Sequence, residues 1–151
     1  FDEPDRSDTA SPAQEGGSGR APETIEEIAS RVLFAGTIEE KLAPFTLVES
    51  TSTPSTLPVR GECLPGRPDD LRFAREHEAR PALPTTPSLV EDRSRGVLLH
   101  FFANHELLAA ELMALALLKF PDAPPAFRRG LLQTLREEQI HTGWYCRRMR
   151  Q

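Results

Sequence analysis

The sequence predicts an all-α fold whose packed part is a helical hairpin, and three observations carry that prediction. Between Ser94 and Lys119 no proline interrupts a run dominated by Leu, Ala and Phe, all but Phe strong helix formers. A second helical pattern opens near Pro125, a residue suited to the first position of a helix, and runs past Trp144. From Phe45 to Pro87, where a sheet would have to lie, Ser, Thr and Pro prevail and no apolar/polar alternation is sustained.

In chain order this gives four tracts. Residues 1–21 are rich in Asp, Ser, Gly and Pro and nearly devoid of apolar side chains, a composition that cannot offset the entropy of ordering and predicts disorder. Residues 22–44 hold two short helices: Thr24 with Glu27 and Thr37 with Glu40 are capping boxes. Ile25, Ile28, Val32 and Leu33 recur at helical spacing until Gly36, and Pro44 stops the second helix after Leu42. The acids of these boxes read as caps rather than ligands. Residues 45–93 form a proline-rich, extended wrapping segment or linker. Within it, Leu64-Pro65-Gly66-Arg67-Pro68 reads as a type II turn, with Gly66-Arg67 as a weak phosphate-cradle candidate, and His77 is expected in solvent. Residues 94–151 form the hairpin.

The chain has 151 residues, enough for one domain at most. Its formal net charge of -5 and pI near 5.4 give no electrostatic reason to expect a nucleic-acid binder. Arg147, Arg148 and Arg150 read as a solvated helix end favoured by the helix dipole. Cys63 and Cys146 form neither a CxxC nor a disulfide framework and fit a reducing cytoplasm. No apolar leader precedes Arg20, and the absence of an initiating Met suggests a fragment. A membrane span is not expected, because the most apolar window, Leu107 to Leu118, is short and broken by Glu111.

Chemistry enters through acids set inside the two apolar helices. A carboxylate buried without a partner costs several kcal/mol, so it calls for a cation or a metal. Stepping by three and four from Glu106 meets Leu99, Phe102, Ala103, Ala109, Ala110, Met113 and Leu117, a core stripe. Glu111 meets Leu107, Leu108, Ala114 and Leu115 in the same way, so the stripes do not choose between the two acids. The first helix is apolar almost all round, which predicts burial on several sides. On the second helix, Leu131, Thr134, Leu135, Glu138, His141, Thr142, Tyr145 and Met149 share a stripe. It contains Glu138-Gln139-Ile140-His141, an E-x-x-H whose spacing puts Glu and His on one face. Glu137 lies nearer the Gln133 edge and ranks second. Hairpin geometry then selects Glu106: with the turn centred near Asp122 and Ala123, it lies about sixteen residues before the centre, and Glu138 to His141 about fifteen to nineteen after it. Glu111 would face the region of Thr134. A Glu from one helix with Glu-x-x-His from the next is the half-site of carboxylate-bridged di-iron and di-manganese bundles. The competing reading pairs Glu106 with an arginine or with His141. His105 is expected to be a core histidine rather than a ligand, Tyr145 a packing residue, and the role of His100 stays open.

Leu99 to Leu107, Glu111-Leu112-Met113-Ala114, Phe120 to Pro124 and Glu138 to Thr142, with Glu39 to Pro44 and Pro65 to Pro68 upstream, resemble the bacterial ferritin-like domain-of-unknown-function 455 family. The resemblance covers nearly everything after Pro22. It implies a four-helix bundle holding two metal ions, usually iron, in proteins that activate oxygen, store iron or hydroxylate substrates such as modified tRNA bases. By the motif, the ligands carried over are Glu106, Glu138 and His141. The pattern calls for a third helix with a Glu and a fourth with another E-x-x-H, so the sequence holds the first two helices of the bundle. Either the chain is a truncated piece, the preferred reading, or a homodimer completes the bundle by twofold symmetry.

The leading functional expectation is therefore a non-haem di-iron oxidase or hydroxylase, with manganese as the alternative metal. Its substrate is unnamed, and a tRNA base stays among the substrates although the charge argues against nucleic acid. A metal-free helical interaction or scaffold module is the second expectation. Iron storage is the third, disfavoured because nothing identifies a cage-forming surface.

Overall fold

The computed structural model describes residues 20–48, 59, 61–74, 77–78 and 82–151. The first nineteen residues, where disorder is expected, and parts of the proline-rich segment lie outside these. Four α-helices are present: α1 (Ile25–Phe34), α2 (Ile38–Lys41), α3 (Asp92–Lys119) and α4 (Pro125–Met149). Short 3-10 turns cover Asp69–Leu71 and Thr86–Val90. Among the described residues no strand forms; one parallel bridge joins Glu23 to Leu47.

The capping chemistry of α1 works as the sequence predicts. The Thr24 backbone N–H donates to Glu27 at 2.8 Å, and the Glu27 N–H donates back to the Thr24 hydroxyl at 3.3 Å, so two orphan donors of α1 are satisfied at once. Thr37 also accepts from the Glu40 N–H, but the Glu40 carboxylate takes the Thr37 hydroxyl and not its backbone N–H, so the second box is only half formed. Arg31 closes this region. Its guanidinium holds both Glu23 oxygens at 2.9 Å and donates to the carbonyls of Glu40 and Ala43.

α3 and α4 form the expected antiparallel hairpin, joined through Phe120–Pro124, and α1 packs on α3. By length and composition alone α3 is apolar enough to cross a membrane, yet here it packs against both neighbours. The core holds Ile28, Ala29, Val32 and Leu33 of α1, Ala110, Ala114, Leu117 and Leu118 of α3, Leu132 and Leu135 of α4, and Phe45. Each fully buried Leu or Ile contributes about 1.5–3 kcal/mol relative to exposure. This core occupies the end of the hairpin near the turn, leaving Glu106, Glu138 and His141 just beyond its edge. Arg128 is also buried, donating to the Leu117 and Phe120 carbonyls at the end of α3 and pairing with Glu26 of α1 at 2.5 Å.

α3 is covered where α1, α4 and the Arg67 segment meet it but not all round: Phe101, Phe102 and Leu112 are exposed. On α4 the buried set is Arg128, Leu132, Leu135, Gln139 and Thr142; Met149 is exposed. The buried side is turned from the expected stripe toward Glu26 of α1, which Arg128 meets, and the end of α2, where Gln139 meets the Lys41 carbonyl. Nor is Pro65-Gly66 a type II turn, because Gly66 does not take the positive φ that turn requires. Its service is close approach: its N–H donates to the Leu33 carbonyl at 2.9 Å, and a Cβ there would sit 2.2 Å from the Phe34 carbonyl oxygen.

That approach delivers Arg67 into the interior. Its side chain is 2 % exposed and grips Glu111, with Nη2 at 2.5 Å from Oε2 and Nε at 3.1 and 3.0 Å from the two oxygens. Nη1 donates to Asn104 and to the Leu71 carbonyl, and the Phe73 ring lies 4.3 Å from the guanidinium carbon. From the other side Lys41, fully buried, reaches Glu111 at 3.1 Å and the Val32 and Leu33 carbonyls at 2.7 and 3.0 Å. Burial pushes the Lys41 ammonium below its ordinary range, against the attraction of Glu111. Glu111 thus faces Lys41 and Arg67 rather than the region of Thr134, and Arg67 is not a phosphate cradle.

Two outcomes are expected from this packing. Replacing Glu111 with Ala leaves two buried cations without their carboxylate and should destabilise the protein by roughly 3–5 kcal/mol in urea unfolding. Gly66→Ala should cost about 1–3 kcal/mol in the same measurement, by forcing the segment away from α1.

Candidate metal centre

The seam between α3 and α4, on the side facing away from α1, gathers Glu106, Glu138 and His141. One ligand atom from each lies within 4.8 Å of the others. The His141 Nδ1 is 3.4 Å from Glu138 Oε2 and 3.8 Å from Glu106 Oε2. The E-x-x-H spacing puts Glu138 and His141 one turn apart on α4, and the antiparallel register brings Glu106 level with them.

The cluster is half-buried, with side chains 24 %, 17 % and 42 % exposed for Glu106, Glu138 and His141. With Glu106 ionised, Glu138 Oε2 is shielded from solvent and accepts no hydrogen bond. Such an orphan is unusual, since buried polar atoms normally find a partner. Glu138 holds Glu106 above the usual carboxylate range, first through the hydrogen bond a protonated Glu106 makes to it; burial and the like charge of Glu138 add to this, while His141 and His105 oppose it. Two carboxylates this close are reluctant to ionise together, so the pair shares a proton or takes a cation. Their oxygen donors with one imidazole nitrogen suit iron or manganese.

The neighbours of the cluster are aromatic. Phe102 stacks on Tyr145 with centroids 5.8 Å apart, the packing role expected of Tyr145, and Trp144 lies 5.4 Å from the His141 ring. His105 is not a core histidine: it is exposed and stacks on Phe101 at 6.1 Å, because that side of α3 has no covering helix. His100 and His77 are exposed, and Glu137 is exposed and accepts from Gln133 at 3.0 Å. An arginine partner does exist for an α3 acid, but the acid is Glu111; among the described residues Glu106 meets His141 and Glu138 instead. The residues the sequence reading missed are Arg67, Lys41 and Gln139. The one available signal was a buried-acid position, Glu111, that needed a cation, with Arg67 held between two prolines upstream.

Helices and cluster together define an all-α protein with a carboxylate–imidazole group on a helical seam. The model of a family described as Protein of unknown function (DUF455) matches residues 25–151, and the chain belongs to that family. No curated protein and no solved structure matches it.

The raised affinity of Glu106 for its proton has a definite consequence for stability. The folded protein binds that proton more tightly than the unfolded chain, whose glutamates titrate near about 4.3. Between the two values the folded state carries more protons, so metal-free stability should fall as pH rises through that window. Glu106→Gln should remove this slope in denaturation curves collected across the pH series.

Proposed function

We propose that the chain carries half of a ferritin-like di-metal centre, with Glu106, Glu138 and His141 as ligands, in an oxidoreductase that activates dioxygen. The observation that carries this reading is the buried, unpartnered Glu138 Oε2 within reach of two further donors. The residues present fit iron or manganese: the carboxylates supply hard, anionic oxygen and His141 a nitrogen. When bound, such a metal pair supplies redox chemistry toward dioxygen. The protein's own part is to hold the two carboxylates and the imidazole at fixed spacing and to exchange the proton near Glu106 for the cation.

The uncovered side of the hairpin supports the half-bundle reading. Phe101, Leu112, Phe127 and Trp144 are 43 %, 56 %, 58 % and 56 % exposed, an apolar surface of the kind a further helical pair covers. A twofold-related copy would supply a second set of the same three ligands; chain continuing past Gln151 would supply an equivalent set. The same surface is the specific observation behind a second reading, a metal-free interaction module that docks on a partner through this side. Metal binding separates the two.

Protein purified without chelator or affinity metal should hold about one iron or manganese per chain in a dimer, and should consume oxygen when iron(II) is added to the metal-free form. Glu138→Ala should abolish stoichiometric iron binding. Unchanged binding in that variant would sink the site assignment, and a metal-free wild type that takes up no iron would favour the interaction module.

A further inference from the structure

Gln139 stands between the two α4 ligands in sequence yet lies on a different, buried side of the helix. It is 6 % exposed, about a hundred degrees round the helix from Glu138, and its Nε2 donates to the Lys41 carbonyl at 2.5 Å. Lys41 in turn holds Glu111 through Nζ at 3.1 Å, and Glu111 sits on α3 five residues beyond Glu106. A closed mechanical loop results. It runs from Glu106 along α3 to Glu111, through Lys41 to Gln139, and along α4 to Glu138 and His141.

The loop matters because apolar contacts fix the distance between two helices better than their rotation. A turn of α4 by about 20° about its axis would move a side chain on its surface by roughly 2 Å, enough to break a ligand set whose atoms lie within 4.8 Å. Leu132 and Leu135 resist that rotation only by shape, and Arg128 anchors the helix at its turn end, ten residues before Glu138; the bond from Gln139 is directional, buried and beside the ligands, where breaking it leaves polar atoms without water. Arg67, gripping the far oxygen of Glu111 at 2.5 Å, keeps that carboxylate from following Lys41.

We propose that Gln139 is a positioning residue, locking the rotation of α4 through Lys41 and Glu111 so that Glu138 and His141 meet Glu106 across the seam. The effect on metal binding rests on the metal reading above; the effect on helix rotation does not.

The test compares Gln139→Met, which keeps length and volume but cannot donate, with Leu132→Ala, which removes packing on the same buried side of α4. Nitroxide labels on exposed His105 of α3 and Ile140 of α4, with Cys63 and Cys146 replaced by Ser, report the interhelical distance distribution of the metal-free protein by pulsed electron resonance. Cobalt(II) affinity and visible spectrum are measured on the unlabelled variants. Gln139→Met should broaden or shift the distance distribution and weaken cobalt binding roughly tenfold or more. Leu132→Ala should lower the melting temperature while leaving distribution and affinity near wild type. A distribution unchanged in Gln139→Met overturns the proposal, as does an equal loss of affinity in both variants. Wild type that binds no cobalt refutes the metal reading instead, and the distance measurement still decides whether Gln139 holds α4.

Discussion

The fold depends on Glu111 and the two cations that meet on it. Arg67 comes from the proline-rich segment, Lys41 from the end of α2, and Glu111 from the middle of α3, so one carboxylate ties together three parts of the chain that otherwise share few contacts. Burying the cations that meet it is expensive, as the depressed proton affinity of Lys41 records. The cost is offset because nearly every donor is used: Lys41 also closes the last turn of α1 through the Val32 and Leu33 carbonyls, and Arg67 binds Asn104 and the Leu71 carbonyl. Such a network adds more to uniqueness of structure than to net stability, since a hydrophobic replacement of the whole group could be as stable while specifying less. What it specifies here is the path of the segment before α3 and, through Gln139, the orientation of α4.

Glu106 and Glu111 lie five residues apart on one helix and have opposite fates. Glu111 is 1 % exposed and matched by two of the protein's own cations. Glu106 lies at the edge of the core against a second carboxylate, with an imidazole as the nearest basic group. The contrast is informative because the chain has arginines to spare: Arg31, Arg67 and Arg128 are each drawn inward to satisfy carbonyls or carboxylates. None is spent on the Glu106–Glu138 pair. On the metal reading proposed above, a close acid pair on which none of these arginines falls is where a counter-charge from outside the chain would bind.

Much of this was legible in the sequence, and the limits follow from range. Local chemistry reads well: the Thr24 and Thr37 caps, the start of α4 at Pro125 and the stop of α2 before Pro44 depend on residues within one turn of each other. The pairing of Glu106 with Glu138 and His141 was also readable, because a short turn makes hairpin register a matter of counting. The partners of Glu111 were not, since Arg67 is 44 positions away across an irregular segment and no periodicity connects them. Pro65-Gly66-Arg67-Pro68 illustrates the difficulty. Its composition is that of a turn, but Gly66 is there for a backbone approach to α1 that becomes visible only once α1 is in place. The side of α3 bearing His105 misled for the converse reason: apolar composition predicts burial but cannot say which element does the burying.

The two sides of the hairpin therefore carry different kinds of order. The side toward α1 is closed by directional bonds, Arg128 at the turn end and Gln139, Lys41 and Arg67 near the middle. The other side has aromatic stacking, Phe102 on Tyr145 and Phe101 beside His105, and the contact of Glu106 with Glu138 and His141 across the seam. Stacked rings tolerate sliding, and a carboxylate pair sharing a proton tolerates small changes of separation. Precision at the cluster must then come from the far side, transmitted through helices that act as stiff rods over the two turns involved. On the function proposed above, this division would leave the open side free to exchange a proton for a cation and to take a further helical layer while the far side holds the helices in place.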